Sequence, residues 1–518
     1  MLELILEGLV VLFRPEPLLY MCLGVVVGFA VGVLPGFESG NAAALALPLS
    51  MGLAPESALI FMASIYVSSQ FAGAVPAILL NVPGTPGAAA TAIDGYPMTQ
   101  QGRAGEAIGI ARMASAAGGM IGCGIVIAVI GPLATLALRF QSPEVFLVTM
   151  IGLTVIGTVV GDVPRKGVLA ALLGLLVASM SASPQTAEPR LTFGFLELYD
   201  EIPFIPVIIG LFAFTEMFLL AGRRSIIDRD TDMAALRSLG GVQILRDAWT
   251  GIRSTFRYPM VIIRSALIGV GIGIIPGMGV TISNFVAWGD AKRRSRDPDR
   301  FGKGAPEGVV ASEACDNAVT SATMVPTLTL GIPGGGTAAI MLAALYLHGI
   351  QPGPRLMETH GPEAYAVLLA MFVASLLVLP VGTLLAAPMA QVIRVPLPFL
   401  VPLVLTIAVI GSFAMRTSMF DVGLALVFGV VGVAMRLTGY PVIPLVLGLI
   451  LGPIIERNFL RSLALEHGNP LVFFRSVTSL VLWALLAVIV VLSVRRSRAR
   501  ADGGSDSRAP APAPPPEK

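Results

Sequence analysis

Apolar runs separated by short polar segments recur from one end of the chain to the other. They occupy residues 18–34, 58–80, 108–138, 145–160, 167–180 and 202–220, then 261–275, 309–330, 337–347, 364–389, 397–413, 420–435, 442–455 and 477–494. A helix that crosses a bilayer needs about 20 apolar residues, so the longer runs predict spans and the shorter ones half-helices or re-entrant segments. The expected fold is an all-α polytopic membrane protein with about 12 transmembrane helices. These are expected to form two related halves containing broken or re-entrant helices, the two related as an inverted repeat. The halves are residues 1–221 and 259–494, joined by a basic loop at 222–258 and followed by a disordered tail at 495–518.

The division into halves rests on a repeated phrase. VPAILLNVPGTPGAAA begins at Val75 and VPTLTLGIPGGGTAAI at Val325. Seven positions agree in register: Val75 with Val325, Pro76 with Pro326, Leu80 with Leu330, Pro83 with Pro333, Gly84 with Gly334, Ala88 with Ala338 and Ala89 with Ala339. Upstream, Gly28, Gly32, Pro35 and Gly36 reappear as Gly269, Gly273, Pro276 and Gly277. Each half therefore carries two helix breaks, since proline removes a backbone donor and glycine weakens a helix. Unpaired backbone is costly in hydrocarbon, so a break persists where protein buries it or where it lines a polar cavity.

Discontinuous helices at matching places in two halves point to a transporter site near the membrane midplane. The amides and positive dipole end of a helix that restarts after a break suit an anion. Asn81, Pro83, Gly84, Thr85, Asn317, Pro333, Gly334, Gly335 and Thr337 are the expected substrate-binding residues, with the amides after Pro83 and Pro333 free and Thr85 or Thr337 capping the new helix. Glu38, Ser39 and Asn41 follow the milder break at Pro35-Gly36, and Thr281, Ser283 and Asn284 follow Pro276-Gly277. Pro35, Gly36, Glu38, Asn41, Pro276, Gly277 and Asp316 form the expected cation-coupling set, in which freed carbonyls and a carboxylate hold Na⁺ or H⁺. No metal centre or cofactor is expected beyond that coupling ion.

Ionisable groups at membrane depth are candidates for function because burying them is costly. Gln70 precedes the first phrase, and Glu313, Asp316 and Asn317 precede the second in ASEACDNAVTSA. Glu307 and Glu313 follow a basic loop closely enough to be interfacial instead. Asp94 and Arg103 bracket a polar link read as a loop turn.

Composition agrees with a membrane protein. Hydrophobic residues make up 55% of the chain and charged residues 13%, well below the charged share of a soluble domain. Cationic loops set the orientation. Residues 222–258 hold seven Arg against four Asp, residues 292–303 add six Lys and Arg, and the tail begins with Arg495, Arg496, Arg498 and Arg500. These segments are expected to be cytoplasmic. Residues 184–201 carry Glu188, Glu197, Asp200 and Glu201 against Arg190 alone, so that loop is expected outside. The apolar start carries no basic residues and is read as no removable leader. Cys22, Cys123 and Cys315 are widely spaced and read as packing residues.

PAILLNVPGTPGAAATAIDGYPM, GVLPG, FGKGAPEGVVASEACDNA, LTLGIPGGGTAAI and GYPVIPLVLGLILGPIIERNFLRSLAL together resemble the large permease subunit of tripartite tricarboxylate transporters. The resemblance extends from about Gly24 to Leu465. It implies a bacterial inner-membrane secondary transporter that receives an organic anion from a periplasmic substrate-binding protein, works with a small four-helix membrane subunit and draws on an ion gradient. Contacts with membrane lipid are expected and nucleic acid is not. The matching positions are Pro35, Gly36, Asn81, Pro83, Gly84, Asp94, Gly95, Tyr96 and Pro97 in the first half. In the second they are Pro276, Gly277, Gly302, Lys303, Gly304, Glu307, Gly308, Glu313, Asn317, Pro326, Gly331, Pro333 and Gly334. Glu38 and Asp316 depart from the pattern, and two carboxylates are compatible with an anion nearby only when protonated or holding a cation.

A passive organic-anion channel is the alternative, since the same breaks can form a selectivity filter. An intramembrane protease is more distant. Asp200 and Asp290 fall in loops expected on opposite sides, and GFESG at residues 36–40 has its serine one place off a nucleophile elbow.

Overall fold

The computed structural model describes residues 1–34, 37–159, 163–183, 188–199, 201–222, 241–276, 279–392 and 397–502. The first half begins with α1 (Leu2–Leu12), α2 (Pro15–Gly32), α3 (Ser39–Ser50), α4 (Pro55–Ala72), α5 (Ala74–Leu80), α6 (Ala88–Gln100) and α7 (Ala104–Ala137). It continues through α8 (Ser142–Val159), α9 (Pro164–Ala178) and α10 (Phe204–Ile209), which runs through a π turn (Gly210–Phe214) into α11 (Thr215–Ala221). A small antiparallel hairpin, β1 (Ser181–Ala182) with β2 (Pro189–Arg190), lies between α9 and α10. Next come α12 (Gly241–Thr255), α13 (Pro259–Gly273), α14 (Gly279–Arg294), α15 (Pro306–Ala322), α16 (Met324–Leu330) and α17 (Gly336–Leu347). The chain ends with α18 (Leu356–Thr359), α19 (Gly361–Val392), α20 (Leu397–Arg416), α21 (Met419–Leu437), α22 (Val442–Leu465) and α23 (Val477–Asp502).

The succession α1 to α7 recurs as α12 to α17 and then α19, with α18 as an addition. The kinked tips α5 and α16 have seven residues each, and the long helices α7 and α19 have 34 and 32. The repeated upstream glycines serve packing. A methyl group on Gly28 of α2 would lie 2.7 Å from the Ile65 carbonyl of α4, and one on Gly269 of α13 would lie 2.7 Å from the Cys315 carbonyl of α15. Glycine lets each helix pair approach backbone to backbone, as membrane helices do.

The two sets are intertwined. Helix α1 packs on α19 of the other set, and α12 packs on α7; α15 likewise lies on α7, and α4 on α19. Each short arm therefore clasps the long helix of the opposite half.

Eight helices among the described residues are long and apolar enough to cross a membrane, or nine when the pair bent by 79° between α12 and α13 counts as one. Three shorter apolar helices, at Ser142–Thr158, Gly336–Leu347 and Val477–Val491, accompany them. The polytopic all-α fold is as expected. Residues 55–80 pass that test, and 57–80 are wholly buried, whereas their counterpart, α15 with α16, does not appear among the spans. Glu313 and Asp316 lower its hydropathy while the protein buries it equally well. Helices α1, α3, α6, α12 and α14 lay outside the predicted apolar runs because they are short, amphipathic or polar.

Candidate transport site

Helices stop where the repeated phrases say they should. Helix α5 ends at Asn81 with φ 56°, and α16 ends at Gly331 with φ 69°. Glycine adopts this left-handed conformation freely and asparagine more readily than most other residues, so both positions answer first to helix termination. Asn81 is exposed there, while Pro83 is half-buried and Gly84 buried. The expectation of a free amide after Pro83 is corrected: Gly84 N–H donates to the Gly73 carbonyl at 3.1 Å, closing the loop onto the α4–α5 kink. The capping expectation is corrected as well. Helix α6 begins after Gly87 and α17 after Gly335, and neither start has a side-chain cap. Thr85 is buried with an unpartnered Oγ1. Pro333 and Gly334 are buried, Gly334 against Thr323 at the α15–α16 kink.

The upstream breaks are partly outside the described residues: Pro35, Gly36 and Gly277 fall there. Pro276 is half-buried, and so is Glu38, whose side chain caps nothing at the start of α3.

The structure re-sorts the two predicted sets of residues. The upstream break of each half meets the downstream break of the other. On one side, Ser39 Oγ at the start of α3 lies 2.8 Å from Thr337 Oγ1 at the start of α17. Asn41, next to it on α3, is fully buried with neither amide atom partnered. Gly335 and Gly336 are half-buried, and a methyl group on Gly335 would meet nothing within 4 Å. The first-turn amides of α17 have no carbonyl available within their own helix. This first cradle is uncharged, apart from half-buried Glu38 at its edge, and rich in hydrogen-bond donors.

On the other side, Gly87 at the start of α6 sits against α14 and α15. A methyl group there would overlap Asp316 Oδ1 and lie 2.6 Å from both Asn284 Nδ2 and Val280 Cγ1. Asp316 Oδ1 accepts from Asn284 Nδ2 at 2.6 Å and from Gln70 Nε2 at 3.3 Å. One turn away, Glu313 Oε1 accepts from Thr91 Oγ1 of α6 at 2.5 Å, and Thr91 also reaches Ser312 Oγ at 2.9 Å. Glu313 and Asp316 are 1% and 2% exposed, so both lie inside the protein rather than on its surface. Asn317, on the same helix, donates to Ser115 Oγ of α7 at 2.8 Å and leaves its own Oδ1 unpartnered. This second cradle holds two carboxylates.

Beyond the second cradle lies a contact that reading Asp94 as a loop turn had missed. Asp94 of α6 is fully buried. Its Oδ1 accepts from the amides of Gly302, Gly304 and Ala305 at 2.7, 3.2 and 2.9 Å, and its Oδ2 accepts from Trp288 Nε1 at 2.8 Å. Consecutive amides turned inward make a nest for an anionic group, and a carboxylate from the opposite half fills this one. The paired phrases DGYP and FGKGAPEG held the signal, because only a folded-back loop needs two left-handed glycines, at Gly302 and Gly304, beside a lone acid.

Asp290, weighed for proteolysis, is bound by Arg293 and Arg294 at 2.8 and 3.0 Å. Burial pushes its carboxyl up, but those hydrogen bonds outweigh it and leave the group below the ordinary carboxylate range. It is a structural ion pair. Asp200 falls outside the described residues. Cys123 and Cys315 are buried free thiols and Cys22 an exposed one.

Residues 18–447 match the tripartite tricarboxylate transporter TctA family. The chain is 31% identical over 474 residues, 92% of each chain, to an uncharacterized 52.8 kDa protein in the TAR-I ttuC' 3' region of Agrobacterium vitis. It is 30% identical over 202 residues, 39% of this chain and 84% of the other, to an uncharacterized protein in the TAR-II ttuC' 3' region of the same organism. No solved structure matches it.

Proposed function

We propose, from the premise that the chain belongs to the tripartite tricarboxylate transporter TctA family, that it is the large permease subunit of a binding-protein-dependent secondary transporter. Its cargo is a carboxylated organic anion, a tricarboxylate such as citrate or a related di- or tricarboxylate, and its import is coupled to Na⁺ or H⁺. Family membership supports transport rather than enzymatic chemistry. The observation that carries the anion reading is the first cradle, where Ser39 and Thr337 meet at the amide end of α17. A carboxylate there would satisfy donors that otherwise lack partners.

The partners in this reading are a periplasmic substrate-binding protein and a small four-helix membrane subunit, in the bacterial inner membrane with the C-terminus in the cytoplasm. In this reading the halves are inverted relative to one another, with the arm α12, which carries Arg246 and Arg253 beside Asp247, on the cytoplasmic side.

The test is uptake of labelled di- and tricarboxylates by cells expressing this chain together with the two proposed partner subunits. Saturable uptake that collapses with the ion gradient supports the proposal. Uptake that ignores the gradient, or unsaturable current, would instead make it a channel.

A further inference from the structure

Glu313 and Asp316 sit one helical turn apart on α15, both buried, and each is held only by neutral donors: Thr91 for the first, Asn284 and Gln70 for the second. No lysine or arginine forms an ion pair with either among the described residues. Two adjacent buried carboxylates without a compensating positive charge are not stable in a low-dielectric interior. A second observation says where that charge goes. Asn284, fully buried and bonded to Asp316 through its Nδ2, leaves its Oδ1 without a partner, and Glu313 Oε2 is buried and unpartnered too. Orphaned acceptor oxygens grouped around two acids are what a small cation requires, and hard cations take carboxylate and amide oxygens.

We propose that Glu313, Asp316 and the Asn284 amide oxygen form a binding site for one small monovalent cation, closed from the opposite half by Gly87 and Thr91. The inference rests on the transport reading and assigns its coupling ion to the second cradle, apart from the anion. The roof is part of the logic. Gly87 belongs to the loop that precedes α6, so movement of the first half away from α14 and α15 uncovers the acids and lets the ion leave. The shared chemistry is one positive charge delivered to acceptor oxygens, and Na⁺ or a proton can supply it. Other titratable groups on the elements packed against α15 include Tyr66 of α4, whose hydroxyl lies 3.2 Å from Thr323 Oγ1, Cys315 on α15 itself, Asp94 of α6 at the far end of α15, and the fully buried Arg112 of α7, one turn before Ser115. The first three bring no positive charge, and among the described residues Arg112 forms no ion pair with either acid.

The test uses the full-length protein in lipid nanodiscs without organic substrate, reading the thermal midpoint in NaCl against choline chloride at acidic, neutral and alkaline pH. For Na⁺, the wild type is stabilised by NaCl alone. Asp316→Asn and Glu313→Gln each abolish that response, and Thr91→Val weakens apparent Na⁺ affinity about 10–100-fold, as loss of a ligand's own hydrogen bond does. For a proton, NaCl has no specific effect and the midpoint falls as pH rises, because the folded state then has to hold both charges. The Glu313→Gln/Asp316→Asn double variant loses that slope. A wild type indifferent to both Na⁺ and pH overturns the proposal without reference to any variant, as do variants that retain the wild-type response. Because no substrate is present, a missing ion response alongside gradient-driven uptake sinks this site alone. A normal ion response without uptake sinks the transport reading instead.

Discussion

On α6 of the first half, Asp94 gathers three backbone amides and an indole N–H from the second half. The repeat puts Ala344 at the same place on α17, and the polar contact joining the ends of α3 and α17 there is Ser50 Oγ to His348 Nε2 at 3.4 Å. The two cradles differ in the same sense, one with paired carboxylates and the other lined by hydroxyls, an amide and a helix end. A duplicated backbone has thus been given different chemistry on its two sides. The side clamped by Asp94 is held shut by hydrogen bonds that the other side lacks, so the two sides differ in the energy needed to open them.

The largest expected effect comes from Asp94→Ala. It leaves two buried amide donors, Gly304 and Ala305, unpartnered at about 1–3 kcal/mol each, and loosens the less buried Gly302 amide and Trp288 indole as well, so a large loss of monodisperse protein is expected in size-exclusion chromatography. A normal yield would mean that the clamp carries no more than its weak counterpart. Next come the glycines at the two cradles. Gly87→Val is expected to abolish uptake with membrane insertion retained, because the added atoms overlap Asp316 and Asn284, whereas Gly335→Ala, whose methyl group meets no protein atom within 4 Å on an extended backbone, is expected to retain uptake with a raised substrate KM. Equal losses in the two would break the asymmetry. Thr337→Val removes the bond to Ser39, about 1 kcal/mol, and is expected to raise the substrate KM roughly fivefold with insertion unchanged. The smallest effect belongs to His348→Ala. Its long contact predicts a shift of about 0.5 kcal/mol or less in stability, visible as an almost unchanged thermal midpoint.

Much of the scaffold could be read from residue order, because proline and glycine act locally. The ends of α5 and α16 fall at Leu80 and Leu330, immediately before the breaks in the two phrases. What stayed hidden was which break meets which. Ser39 and Thr337 are brought together by the topology of the whole chain, and nothing local to either announces the other. Glu313 misled for a related reason. It follows the basic loop closely in sequence, yet at about 1.5 Å of rise per residue α15 carries it roughly 10 Å inward from Pro306 and seals it under α6. Asp94 looked like a turn residue because three of its four partners lie in a loop of the other half and the fourth, Trp288, on α14. The arm α12 was passed over because its arginines interrupt any apolar run, although it packs tightly enough that a methyl group on Gly109 of α7 would overlap the Ala248 carbonyl.

The crossed arms also set a timetable for biogenesis. Gly8 of α1 comes to rest against Ala366 of α19, where a methyl group would lie 3.0 Å from the Ala366 amide. At a synthesis rate of about 5–20 residues per second, α1 waits roughly 20–70 s after its own synthesis before its docking surface on α19 exists. During that interval its exposed leucines and valines have only lipid, a chaperone or the insertion machinery to cover them. Completion of α19 is therefore the step that gives α1 its partner from the second half.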